Sequence, residues 1–431
     1  MPVAAILKRW RAALALCLTL GAPLASLTQP DLPLCDDRPT VIRGELYTDT
    51  RRWCPEDVAH DPQLEPLSFT ALEAAPDGTL YAARPLSGLV MAIRDSDGDT
   101  LPDDMRVFAE GLTQPNGLAY HEGDLYVAGG PHIYRISALG EVTTLVDDLP
   151  TGTGFPVAGL AVGADERLYV AVGAPCSNCE FADAERGAIL SMNLDGSERQ
   201  VFASGFRNPA DVAWYRGQLW TLDSAPRQEQ RNALDELNRL EAGGWYGFPY
   251  CLGAATANIE GGIDCGEGIE PAMRFGTGAV PISLAAYPHD LLPGTEDTLI
   301  VVLSGEPSQV DFVGYKVIMI AFDDDDQPLG VTVIFPFAYE SGRQAYIPYR
   351  GQALYWQQFI HLNELGFGIY PQQPLAVAVS PEGWIYISIT GGRIVALRPR
   401  YDWPDQHLLY PIWTPMNPDH DPSAPPPESA Y

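Results

Sequence analysis

Apolar and polar positions alternate along this chain in short runs, and the runs recur. FTALEAAPDGTLYAA begins at Phe69, NGLAYHEGDLYVA at Asn116 and VAGLAVGADERLYVA at Val157. ADVAWYRGQLWTL begins at Ala210, ISLAAYPHDLLPGTEDTLIVV at Ile282 and LAVAVSPEGWIYISI at Leu375. Each has the outline of a β-hairpin: a period-two strand, a turn carrying glycine or acidic residues, and a second alternating strand. The aromatic markers Tyr81, Tyr126, Tyr169 and Trp220 lie 45, 43 and 51 residues apart, the period of a four-stranded propeller blade. A lone hairpin cannot bury its apolar face, so the copies must pack around a common axis. Six copies predict an all-β, six-bladed β-propeller over residues 67–402.

The ends of the chain lack this pattern. Lys8, Arg9 and Arg11 precede an apolar stretch from Ala12 to Leu24, with small residues at Ala22, Ala25 and Ser26. Residues 1–27 therefore predict an export signal. The stretch is shorter than the roughly 20 apolar residues that span a bilayer. Cleavage and retention as a peripheral membrane anchor both stay open, and either puts the rest of the chain outside the cytoplasm, secreted, periplasmic or cell-surface. Residues 28–66 form a lead-in without clear periodicity, and residues 403–431 a Pro-rich tail. Proline at that density cannot join a strand ladder. Two insertions, between Glu236 and Pro281 and between Phe322 and Pro374, lengthen the later blades. The stretch Asn232 to Leu240 is compatible with a helical turn or with the start of a strand.

Charge narrows the partners. With 26 basic against 56 acidic residues the net charge is −30, which argues against nucleic acid and against an anionic membrane surface. Seven cysteines include Cys17 inside the export segment. The other six fall into three close pairs, Cys35 with Cys54, Cys176 with Cys179, and Cys251 with Cys265. Beyond an export signal an even count predicts disulfides. Zinc is the rival for Cys176-Ser-Asn-Cys179, but the chain has no second CxxC and no HxxxH to complete four ligands.

Two constellations carry candidate chemistry. In the run from Asp95 to Asp104, the carboxylates of Asp95, Asp97, Asp99 and Asp103 can converge on one hard cation, as calcium loops require; the alternative is an ordinary acidic hairpin turn. The run Asp323 to Asp326 lacks the alternation and reads as a solvated turn. The second constellation starts at Gly205-Phe-Arg207-Asn208-Pro209 and ends at Gly247-Phe-Pro249-Tyr-Cys251. There Arg207 stands at the top of a strand, where a guanidinium meets an anion or carbonyl, and Glu236 is a candidate cation ligand. The alternative pairs Arg207 with a neighbouring carboxylate and leaves the glycines only to turn the chain. GxSxG, HExxH and a phosphate-binding glycine loop are all missing, and the seven histidines show no ligand spacing.

The run GFRNPADVAW, LWTLDSAP and DELNRLEAGGWYGFPYC resembles the glucose/sorbosone dehydrogenase family. GADERLYVAVGAPCSNC from Gly163, RDSDGDTLPDDMRVFAEGL from Arg94, VGYKVIMI from Val313 and AVAVSPEGWIYIS from Ala376 extend the likeness over most of residues 67–400. The resemblance implies an exported six-bladed propeller that oxidises sugars with pyrroloquinoline quinone (PQQ) and calcium. It puts Arg207 and Asn208 against the cofactor, with the guanidinium polarising the quinone carbonyl that accepts hydride. It puts Ala225 and Pro226 near the carbonyls of the cofactor-bound calcium, and Glu236 and Tyr246 at a second, structural calcium. Together these features predict a ring whose mouth offers Arg207 and a divalent metal to a guest.

The chain also departs from the family. The place of the proton-accepting histidine holds Phe155, the family's histidine-containing segment in the fifth blade reads Ser304 to Gln309, and the arginine before the last inner strand is Gln373. Two readings follow: PQQ- and calcium-dependent oxidation of a small-molecule carbohydrate or related alcohol or aldehyde, or a non-catalytic propeller that binds a glycan or a protein partner.

Overall fold

In the strand Arg167–Val172, Leu168, Val170 and Val172 pack into one apolar cluster while Tyr169 and Ala171 pack into another. The same division splits Leu299, Val301 and Leu303 from Ile300 and Val302 in the strand Thr298–Leu303. Period-two alternation here separates two buried faces rather than a buried face from a wet one. That is why these strands read as nearly continuous apolar runs.

The computed structural model describes residues 52–400, apart from 64, 100, 227–233, 253–255, 258–263, 277, 293–294, 307–313 and 337–371, together with residues 414–415. Six sheets form a ring, as the repeats predict. Blade one runs from Leu72–Ala74 at the axis through Leu80–Arg84 and Leu89–Arg94 to Asp104–Ala109 at the rim. Blade two is Pro115–His121, Asp124–Gly129, His132–Ile136 and Val142–Val146. Blade three is Val157–Val162, Arg167–Val172, Ala188–Asn193 and Gln200–Ser204, with Gly244–Trp245 added in parallel at its edge. Blade four is Pro209–Tyr215, Gln218–Asp223, Asp235–Arg239 and Met273–Phe275. Blade five is Pro281–Tyr287, Thr298–Leu303, Lys316–Phe322 and Pro328–Phe335, with Thr414–Pro415 paired on its outer strand. Blade six takes Pro374–Val379, Ile385–Ile389 and Arg393–Pro399 from the C-terminal side and Trp53–His60 from the N-terminal side.

Turn chemistry sets the hairpin registers. Glu122-Gly123 and Arg216-Gly217 both have two positive φ values, 47° and 97° in the first and 49° and 74° in the second. Paired positive φ defines the turn whose twist matches the flanking strands. Each therefore links its inner strand to the second strand in two residues. At the axis the inner strands crowd: a Cβ on Gly117 would sit 2.3 Å from the Ala158 carbonyl oxygen, and one on Gly159 would sit 2.3 Å from Asp211 Oδ1. Polar stitches join adjacent inner strands. The Tyr120 N–H donates to Glu73 (3.0 Å) and the Leu284 N–H to Asp211 (3.0 Å). Burial pushes Glu73 up to about 7 and Asp211 up to about 6. The inner strands enclose an axial channel of about 520 Å³.

The fold moves one expected boundary, decides one open alternative and places one insertion. The propeller starts at Trp53 rather than residue 67, because the outer strand of blade six comes from the lead-in, where Trp53 pairs with Pro399 and His60 with Arg393. The stretch from Asp235 is the strand Asp235–Arg239, since its residues pair with the second strand of blade four at Leu222 and Leu237. The insertion after Glu236 does not stay on its own blade; it carries Gly244–Trp245 onto the edge of blade three. The export segment, most of the Pro-rich tail and Cys35 lie outside the described residues. Cys54 is disulfide-bonded, and Cys176–Cys179 and Cys251–Cys265 are both formed. No helix among the described residues is long and apolar enough to cross a membrane.

Within the blade six seam, Arg398 Nε donates to Glu56 Oε1 at 2.6 Å, their side chains 3% and 0% exposed. Glu56→Ala strands that guanidinium, and the unfolding free energy is expected to drop by about 3–5 kcal/mol. Urea denaturation reads this directly; a drop under about 1 kcal/mol, the scale of a surface pair, means that the closure is not anchored there.

Candidate functional site

Between blades three and four the chain makes a close approach that only glycine permits. Gly205 has φ +86°, and a Cβ there would meet the Tyr246 and Gly247 nitrogens at 2.7 Å. Phe206 follows, fully buried and stacked on Tyr246 at 4.7 Å. Arg207 and Asn208 then lead into the inner strand of blade four. Asp223 fixes both of their backbones, accepting the Arg207 N–H at 2.9 Å and the Asn208 N–H at 2.6 Å. Burial pushes Asp223 up to about 6 in spite of those two bonds and the nearby guanidinium.

Arg207 is 8% exposed and its guanidinium is enclosed. Nε donates to the Ser177 carbonyl at 3.0 Å and Nη2 to Ser177 Oγ at 2.7 Å. Nη1 donates to the Ser224 carbonyl at 2.8 Å, and the Phe155 ring lies 4.4 Å from the guanidinium carbon. The expected histidine position is therefore in contact with Arg207, but with an apolar ring. Gly173 makes room for that ring, since a Cβ there would sit 2.3 Å from Phe155 Cβ. Arg207 does not line the axial channel. Its guanidinium packs at the blade three–four junction, where the Cys176–Cys179 loop and Ser224 accept from its donors. The neighbouring carboxylate of Asp223 is reached by the Arg207 backbone N–H.

Arg207, Ala225, Pro226, Glu236 and Tyr246 converge on one small cavity of about 20 Å³, with Asp223 as a further wall. Glu236 is pushed up to about 8, first by burial and then by the Asp223 charge, while Arg274 opposes the rise. Beside it the Asn238 amide lies 3.5 Å from Glu236 Oε2, and Asn238 Oδ1 is buried without a hydrogen-bond partner. An orphaned acceptor next to a carboxylate starved of solvation is the donor set that a hard cation satisfies. The Tyr246 hydroxyl donates to the Arg239 carbonyl at 2.6 Å and accepts the Glu241 N–H at 3.0 Å. Its phenol is thus committed to closing the loop, and the backbone carbonyl is the oxygen Tyr246 has to offer. Asn208 points its amide at Ser224 Oγ, 3.2 Å away.

The acidic loop is elsewhere. It joins the third and outer strands of blade one, at the opposite end of the ring from Arg207. Asp95, Asp97 and Asp99 bring one oxygen each within 4.8 Å of one another. Asp103 does not join them, because it accepts the Ser96 N–H and hydroxyl, both at 2.9 Å. Gln373, at the place of the family's arginine, donates to the Ser304 and Gly305 carbonyls and ties blade six to blade five.

Sequence reasoning missed Lys316. Strand register aligns Pro281, Leu303 and Lys316 in blade five as it aligns Pro209, Asp223 and Glu236 in blade four, so Lys316 stands at the same end of the ring. It is 2% exposed, and burial lowers its ammonium to about 7. A signal was present: the chain has two lysines, Lys8 and Lys316, so nearly all its positive charge is arginine.

This geometry can be set beside known proteins. Residues 135–305 match the family model described as Glucose / Sorbosone dehydrogenase. The resemblance read from the GFRNP and DELN segments is thereby supported, and the matched span contains Phe155, Arg207, Glu236 and Tyr246. Among solved structures, the holo PQQ domain of pyranose dehydrogenase from Coprinopsis cinerea is 13% identical, with a TM-score of 0.63 over 86% of this chain and 99% of that one. A family AA12 carbohydrate-active enzyme from Trichoderma reesei is 16% identical, with a TM-score of 0.62 over 84% and 99%. The PQQ-bound aldose sugar dehydrogenase from Streptomyces coelicolor is 17% identical, with a TM-score of 0.50 over 83% and 97%. At these identities the likeness establishes a shared six-bladed fold. No curated protein matches the chain.

Glu236 sets a pH dependence whose sign follows from its raised value. From about 4.5, where the unfolded chain releases this proton, up to about 8, the folded chain retains it. Stability therefore falls as pH rises through that window. Glu236→Gln is expected to lessen the fall most clearly between about 7 and 8, leaving at lower pH the slope that Glu73, Asp211 and Asp223 contribute. Urea midpoints at stepped pH measure it; an unchanged slope between 6 and 8 would show that Glu236 is ionised throughout.

Proposed function

We propose that this chain is an exported dehydrogenase that oxidises a sugar, or a related alcohol or aldehyde, with PQQ and calcium. The observation that carries the reading is the convergence of Arg207, Ala225, Pro226, Glu236 and Tyr246 on one cavity, five positions that the resemblance assigns to cofactor and metal. Calcium would be held by Glu236 and by backbone carbonyls of Ala225, Pro226 and Tyr246, all hard oxygen donors. The acidic quinone would be held by Arg207, Asn208 and Lys316, cationic and amide donors gathered at one end of a chain whose net charge is −30. PQQ, when bound, supplies a two-electron acceptor for hydride.

The chain's own residues do the rest. Asp223 holds the Arg-Asn backbone, so the guanidinium is delivered to a fixed place. Phe155 covers one face of that guanidinium, excludes water from it and strengthens its field. Phe155 cannot take the substrate's hydroxyl proton, and a positioned base is worth roughly 10²- to 10⁴-fold, so proton removal limits the rate. A neutral sugar approaches this acidic surface without repulsion, whereas a polyanion does not. The two disulfides support a compartment that is oxidising. At the other end of the ring Asp95, Asp97 and Asp99 form a second calcium site, exposed and loop-borne.

Reconstitution with PQQ and calcium is expected to give quinone absorbance that survives dialysis and slow dye reduction with aldoses. Phe155→His should raise the turnover about 10²-fold, and Arg207→Ala should abolish retention of the cofactor. An intact fold that retains no PQQ would turn the reading towards a propeller that binds its ligand without redox chemistry.

Calcium separates by site. EDTA should lower the melting temperature, and Asp97→Ala should remove the part owed to the acidic loop. Protection through Glu236 should grow as pH approaches about 8, because the ion binds the carboxylate form. A melting curve indifferent to EDTA at every pH removes both sites.

A further inference from the structure

Ser177 places two acceptors on the Arg207 guanidinium, its carbonyl at 3.0 Å from Nε and its hydroxyl at 2.7 Å from Nη2. It is the second residue of Cys176-Ser-Asn-Cys179, closed by a disulfide between residues three apart. An open loop would lose backbone and rotamer freedom to hold both oxygens against one rigid fork, whereas a closed ring has lost most of that freedom already. So short a ring constrains the unfolded chain less than the Cys251–Cys265 loop, whose separation is 14. Its main effect is local order. The surrounding contacts keep the ring in place: Thr153 Oγ1 donates to the Pro175 carbonyl at 3.1 Å, and the Ala174 N–H to the Arg207 carbonyl at 2.9 Å. Arg186 clamps the other side, donating to the Gly173 carbonyl at 2.6 Å and the Phe155 carbonyl at 3.2 Å.

We propose that Ser177 is a positioning residue for Arg207 and that the Cys176–Cys179 bond is what holds it there. With Ser224 on the other edge and Phe155 on one face, the hairpin fixes where the guanidinium's charge lies and how it meets an oxygen of a ligand. Its consequence for a quinone rests on the cofactor reading above; the positioning itself does not.

Two measurements keep these apart. Phenylglyoxal labelling of the unliganded chain, mapped by mass spectrometry, reads the freedom of each guanidinium. Arg207 should label about tenfold faster in Ser177→Gly and in the Cys176→Ser, Cys179→Ser double variant than in the unaltered chain, the scale of one lost bond to a charge. Ser177→Thr, which keeps the hydroxyl, should retain the protection, and exposed Arg106 should label equally in all. The Cys251→Ser, Cys265→Ser double variant should lower the melting temperature and leave Arg207 labelling unchanged. Equal Arg207 labelling in every variant overturns the proposal. PQQ titration of the same proteins is then expected to show weaker binding in Ser177→Gly and full binding in Ser177→Thr. Protected Arg207 in a chain that binds no PQQ defeats the cofactor reading and leaves the positioning role standing.

Discussion

Everything in this molecule depends on blades that bury both faces at once. Each sheet presents one set of alternating side chains to the blade before it and the other set to the blade after it, and six apolar clusters result, one at each junction. No blade can satisfy both faces alone, so the ring is stable only when closed. Closure is carried by the strand Trp53–His60, which pairs with Arg393–Pro399 across more than 300 residues of chain. The Glu56–Arg398 pair is buried in that seam, so loss of either partner leaves the other uncompensated.

The same burial generates the chemistry. Where inner, second and third strands begin and end, side chains at the rows Pro209–Asp223–Glu236 and Pro281–Leu303–Lys316 are drawn between blades. Removed from water, Asp223 and Glu236 release their protons at higher pH than usual, and Lys316 gives its proton up at lower pH. Charged groups remain at such places when something offsets the desolvation. Around Arg207 the offset is visible, in Ser177, Ser224 and the Phe155 face. Around Glu236 it is incomplete, and the orphaned Asn238 oxygen marks the gap.

Phe155 and Gln373 give the site its individual character. Each occupies a position where the family resemblance implies a titratable or cationic group, and each has been absorbed into structure. Phe155 stacks on the arginine that its histidine counterpart would share a substrate with. Gln373 uses its amide to join two blades.

The amino-acid sequence determined, without help, the blade number, the hairpin registers and two of the disulfides, because these follow from local alternation, turn residues such as Glu122-Gly123 and short cysteine spacings. It also marked Arg207, Glu236 and Tyr246 through a motif compact enough to survive at low identity. Only tertiary structure decided that Trp53–His60 completes the last blade, since that strand carries no repeat signal and is chosen by the vacant edge it fills. It decided, too, that the Cys176–Cys179 loop sits on Arg207, and that Lys316 stands in blade five at the row equivalent to that of Glu236 in blade four. Those facts rest on contacts between blades, and side chains that meet across a junction leave no periodicity along the chain.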